Sequence, residues 1–270
     1  MRSELASSFK NKSVALLSAT IDEPFEHVRA CALDIGRFDE EKDAVIINEY
    51  PSVRRNNRLL ICLTDGPNLR TGDEQYSLNR ERANKILGEI LEEFWVRTLV
   101  LFRRYLDHES AETYLRKSTF SERIRSIKKG EDPDIIEEKI KELKEKDIVL
   151  TTASTRLWEG VDVPGLRLVT IDALPYPAKD PLSKKYDFQR GRKEMIKKLK
   201  QGLGRIVRSD NDWGAAIVID NRFNHDFRFI SKKLPWYMGD DFKSMPLMEA
   251  KEELRKFISA RERKTNSGIG

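Results

Sequence analysis

The chain has 270 residues, 39% hydrophobic and 35% charged, which suffices for one sizeable domain or two small ones and excludes a chain too polar to fold. Its formal net charge of +5 leans towards an anionic partner. Cys31 and Cys62 lack a CxxC spacing, so a disulfide scaffold or zinc site is not expected.

Short apolar runs alternate with amphipathic charged stretches along the chain. VALLSAT (14–20), AVIINEY (44–50), LLICLT (59–64), TLVLF (98–102), DIVLTTAS (147–154), LRLVTIDAL (166–174) and GAAIVID (214–220) predict strands. Between them, 77–94, 108–117, 133–146 and 186–208 carry helical patterns, and residues 225–235 and 246–262 follow the last strand. Near-continuous apolar strands separated by helices predict a doubly wound α/β domain, a mainly parallel sheet with helices on both faces. SERIRSIKKGEDPD (121–134) reads as a charged surface connection, and KTNSGIG (264–270) as a disordered tail. No apolar run approaches the roughly 18 residues of a membrane span, and MRSELASSFKNK has no apolar core of a secretory signal. That pattern reads as cytoplasmic, with no membrane partner.

Two stretches concentrate chemistry. In QGLGRIVRSDNDWG (201–214), Gln201, Arg205 and Arg208 would share one helical face. Adjacent guanidiniums repel unless an anion lies near them, and their planar forks suit phosphate. A basic helix face pairing with local carboxylates is the plain alternative. Gly202 and Gly204 each cost a helix interior about 1 kcal/mol against alanine, which points to a close approach by another backbone. In RLWEGVDVPG (156–165), Glu159, Gly160 and Asp162 form a tight loop after a strand. Such loops bind ligands in parallel sheets, although a solvated turn reads the same way.

In order, SAT (18–20), LVLFRRY (99–105), TTASTRLWEGVDVPG (151–165), IDALPYPAKDPL (171–182) and QGLGRIVRSDNDWG (201–214) resemble the C-terminal motor domain of superfamily-two helicases. Within these the motifs look most like the DinG/XPD group of iron–sulfur DNA helicases. The resemblance implies a RecA-like fold, with residues 1–20 the tail of a first motor domain, 21–262 the helicase C-terminal domain and 263–270 a tail. It implies that Arg205 and Arg208 are arginine fingers reaching the γ-phosphate of ATP held by the other motor domain. Gln201, Gly204, Glu159, Gly160 and Asp162 would line the nucleotide cleft. Ser18, Ala19 and Thr20 would couple the two domains. Thr151 and Thr152 would contact nucleic-acid phosphate. Arg103 and Arg104 replace the family's small hydroxyl residues after the strand TLVLF, which suggests an arginine–phosphate contact.

No GxxxxGK[ST] loop and no acidic strand before SAT occur in the sequence, nor do four clustered cysteines. The resemblance therefore implies that ATP, Mg2+ and an iron–sulfur cluster belong to an N-terminal ATP-binding motor domain, on the same or a separate chain. The expected partners are that domain and single-stranded DNA, and the expected role is the second motor of an ATP-dependent 5′–3′ helicase, with this chain inactive alone. The alternative is a free-standing single-strand-binding module without ATPase activity.

Overall fold

A computed structural model describes residues 57–152, 163–177, 188–206, 212–234 and 242–267. The expected strands at 14–20 and 44–50, and the boundary at residue 20, lie outside these residues. Seven strands form one sheet: β1 (Arg58–Leu63), β2 (Thr98–Phe102), β3 (Ile124–Ser126), β4 (Ile148–Thr152), β5 (Leu168–Ile171), β6 (Gly214–Val218) and β7 (Phe242–Met245). Their order is β3-β4-β2-β5-β6-β1-β7, and every neighbouring pair is parallel.

The five inner strands are buried along their whole length, as runs such as RLLICL and TLVLF require when both faces are covered. Helices α1 (Tyr76–Glu93), α2 (Tyr105–Leu115) and α6 (Leu247–Ser267) cover one face. There Ile86, Leu87, Ile90, Ala111, Leu115, Leu254 and Ile258 meet Leu59, Ile61, Val100 and Phe102. Helices α3 (Pro133–Lys141), α4 (Phe188–Leu203) and α5 (Arg222–Lys233) cover the other. There Ile136, Met195, Leu199, Phe223 and Ile230 meet Leu60, Cys62, Leu99 and Leu101. Alternate residues of one strand thus serve opposite layers, the period of two that a strand imposes.

Three elements differ from expectation. The stretch 121–134 contains strand β3, paired with β4 through Ile124↔Ile148. A second strand, β7, joins β1 after the last expected one. Both are edge strands, of three and four residues, carrying Arg125 and Lys243. Short charged edges resist further pairing, and that protection hides them from a hydrophobic pattern. Helix α6 continues to Ser267, into the stretch read as a disordered tail.

Candidate functional site

Parallel strands gather their following loops at one edge of the sheet. Four loops meet at this carboxyl edge. After β1, Gly66 packs so tightly that an added Cβ would lie 1.9 Å from the Ile219 carbonyl oxygen beyond β6. Only glycine permits that approach. Asp220, fully buried, ties the loops together: its Oδ2 accepts from Leu174 N (3.0 Å) after β5, and its Oδ1 from Leu69 N (3.5 Å) after β1. Arg222 at the start of α5 donates to both Asp220 oxygens through Nε, each at 2.9 Å.

Two further ion pairs stand beside this one. Arg80 on α1 grips Asp172, which follows β5, with Nη1 to Oδ2 at 2.6 Å and Nη2 to Oδ1 at 2.5 Å. Both side chains are buried, at 6% and 0% exposure. Burial pulls the Arg80 guanidinium down, but the Asp172 carboxylate outweighs it and holds Arg80 above its ordinary value. Arg104, the residue before α2, donates to Asp107 through Nε (2.9 Å) and Nη2 (2.6 Å). It also stacks on the Tyr76 ring at 4.5 Å, while Tyr76 Oη donates to Asp107 at 2.6 Å. Burial first, and Asp107 second, push the Tyr76 phenol up to about 12.

Of the two arginines expected to meet phosphate, Arg104 is therefore held within the domain. Arg103 is different. It makes one long bond, Nη2 to Leu69 O at 3.4 Å, and its Nε is buried without an acceptor. Thr151 and Thr152, expected on the same track, close β4 fully buried within the sheet.

The glutamine–arginine motif falls on the other edge. Helix α4 returns from the carboxyl edge and ends at Leu203, ahead of β6. Gly204 N still bonds Lys200 O at 2.8 Å, four residues back, but Arg205 N bonds Gly202 O and Ile206 N bonds Leu203 O, both at 3.3 Å and three back. The last turn tightens, so Gln201 lies within α4 and Arg205 on the turn that follows it. A Cβ on Gly214, the first residue of β6, would come within 2.6 Å of Ile206 Cγ2, so this turn abuts the amino end of the strand. Arg205 is 9% exposed, and the buried Gln201 Oε1 has no donor. Arg208, the loop with Glu159, Gly160 and Asp162, and Ser18, Ala19 and Thr20 lie outside the described residues.

Cys62 is a core side chain, its thiol pushed well above the ordinary range by burial first and by Asp220 second. Among the described residues there is no cluster of His, Cys, Asp or Glu able to hold a metal, and no helix long and apolar enough to cross a membrane. Sequence reasoning missed Arg80, Asp172, Asp220 and Arg222. Asp172 and Asp220 do each follow a strand, the one signal that could have marked them.

Residues 87–239 match the model of the helicase C-terminal domain family. A probable ATP-dependent helicase of Methanocaldococcus jannaschii is 28% identical over 284 residues, covering 95% of this chain and 42% of its own length. A second, from Bacillus subtilis, is 30% identical over 215 residues, covering 72% of this chain and 31% of itself. The chain thus spans less than half the length of these relatives. Among solved structures an XPD helicase superposes with a TM-score of 0.55 at 15% identity, over 70% of this chain and 35% of that one. Dbp5 of S. cerevisiae, bound to RNA and ADP BeF3, gives 0.62 at 14% identity, over 92% of this chain and 56% of that one. At such identities these structures speak for the RecA-like fold alone.

Proposed function

Since the chain belongs to the helicase C-terminal domain family, we propose that it is the second RecA-like motor domain of an ATP-dependent 5′–3′ DNA helicase of the DinG/XPD type. The observation that carries this is the placement of its arginines on opposite edges of one sheet. Arg205 sits on the turn before β6, while Arg103 follows the end of β2. A motor domain must answer a nucleotide on one side and a nucleic-acid strand on another, and a rigid parallel sheet links the two.

In this reading Arg205 and Arg208 oppose charge spreading over the transferred phosphoryl oxygens, an electrostatic role. The donorless Gln201 Oε1 fits a group arriving from outside the chain. Gly204, Glu159, Gly160 and Asp162 line the same cleft, and Ser18, Ala19 and Thr20 join it to the first motor domain. That domain would bring ATP with Mg2+ and the iron–sulfur cluster. Residues 1–20 belong to its tail. Single-stranded DNA crosses the carboxyl edge at Arg103, with Thr151 and Thr152 shaping the edge from within and Arg104 fixing the start of α2.

The test is ATP hydrolysis with and without an ATP-binding motor domain. The chain alone should give no turnover above background. In the two-domain enzyme, Arg205→Ala should cut kcat by about 10³-fold while nucleotide affinity changes little. Near-normal turnover of that variant would make Arg205 a structural cation and remove the finger assignment.

A further inference from the structure

Among the described residues, three carboxylates of the carboxyl edge are each held by an arginine. Asp172 is taken by Arg80, Asp107 by Arg104 and Asp220 by Arg222. Among the described residues this leaves Arg103 with no ion pair. It is not simply solvated either, because its Nε is shut from water without an acceptor. Burial, and behind it the charge of Arg222, push the Arg103 guanidinium below its ordinary value. Arginine cannot shed its proton to escape such a position. Arg103 is half-buried, so part of its guanidinium stays open to a group arriving from solvent while its Nε lacks an acceptor.

Arg222 is linked to Arg103 through Leu69, whose carbonyl accepts from Arg103 and whose N–H donates to the Asp220 that Arg222 holds. Its Nε and Nη2 serve Asp220, while Nη1 has no hydrogen bond among the described residues. It is fixed on three sides: by Asp220, by its own backbone N–H donating to Asp220 Oδ1 (3.2 Å), and by the Tyr176 ring 5.6 Å below it. A guanidinium pinned this way presents its remaining N–H in a set direction, the preorganisation that a phosphate contact uses.

We propose that Arg103 and Arg222 form a two-arginine clamp for one phosphodiester of a single strand crossing the carboxyl edge, with Arg104 a positioning residue that touches no phosphate. This rests on the nucleic-acid reading above and deepens it. The strand is favoured over a free anion by what lies alongside: Tyr105 and Leu106, which follow Arg104 directly, are exposed at 37% and 66%, and Leu78 in the first turn of α1 at 65%. Exposed aromatic and aliphatic groups beside an unpaired arginine suit bases stacked along a backbone.

The test uses the full chain, with fluorescence anisotropy on an oligothymidylate of about twenty nucleotides across a salt series. Arg103→Gln should lower the slope of log affinity against log salt by about 0.7, roughly a fivefold loss near 0.1 M salt, whereas Arg222→Lys keeps the charge and should weaken binding with little change of slope. Lys256→Gln, on α6, serves as the charge-matched control and should leave the slope unchanged. Arg103→Gln should also melt no lower than the parent, since it removes an unpaired cation. An unchanged slope in Arg103→Gln overturns the clamp and leaves the nucleic-acid reading standing. A lower melting temperature with an unchanged slope overturns it too, by making Arg103 structural. A second arm compares melting in inorganic phosphate and in chloride at equal ionic strength. If the oligonucleotide does not bind but phosphate stabilises the parent and not Arg103→Gln, the anion site holds and the strand assignment falls. Response to neither probe overturns both.

Discussion

Replacing Arg80 by methionine tests the frame on which the carboxyl edge is built. The substitution keeps the length and apolar stem of the side chain but leaves Asp172, 0% exposed, without its only counter-charge among the described residues. Breaking one partner of a buried pair costs about 3–5 kcal/mol. For a domain of this size that corresponds to a fall in Tm of about 6–20 °C. Replacing both partners, Arg80→Met with Asp172→Leu, removes the desolvated charge as well and should restore stability to within about 1 kcal/mol. The pH dependence separates this account from mere loss of packing. Burial already pushes the Asp172 carboxyl up, and Arg80 is what opposes it. With Arg80 gone, Asp172 binds a proton more readily folded than unfolded, so protonation favours the folded state. The deficit of Arg80→Met should therefore shrink as pH falls from about 8 towards about 5, above the unfolded value near 3.9. Thermal and urea unfolding followed by circular dichroism reads all three effects. A loss below about 1 kcal/mol, a double variant as poor as the single one, or a deficit that grows at lower pH would refute the reasoning.

The remaining predictions concern the same edge. Gly66→Ala drives a methyl into the Ile219 carbonyl oxygen, which belongs to backbone and cannot rotate away, so it should cost about 1–3 kcal/mol in urea unfolding. Gly72→Ala, in open space at a φ of 86°, should cost only the left-handed strain of about 1–2 kcal/mol; a clearly larger loss at Gly72 would contradict the close approach assigned to Gly66. Asp107→Asn removes a carboxylate that burial pushes up but the hydrogen bonds of Arg104 and Tyr76 hold below its ordinary value. Such a group contributes stability above the unfolded pKa and loses it as pH falls through the folded one. The gap between parent and variant, about 2 kcal/mol near neutrality, should close below about pH 4. A gap independent of pH would show that the Arg104–Asp107 pair does not stabilise the fold through its charge.

The sequence by itself determined the layers of this domain and the positions of its inner strands. TLVLF, the core of DIVLTTAS and GAAIV are buried along both faces, a condition that a run of adjacent apolar residues states locally. The order of the motifs likewise carried the family. Tertiary structure decided what depends on residues far apart in the chain. It placed β1 between β6 and β7, and it recruited two short charged strands to the edges, where ladder bonds rather than hydrophobic pattern hold them. It also ended α4 at Leu203, turning the chain into the start of β6 and setting Arg205 on the edge away from Arg103. Above all, it paired the charges. Arg103 and Arg104 are neighbours with the same side chain, and only the spacing of three to Asp107 tells them apart in the sequence. The fold adds the Tyr76 ring to Arg104 and sets Asp172 against Arg80 across the layer, leaving Arg103 with no ion pair among the described residues.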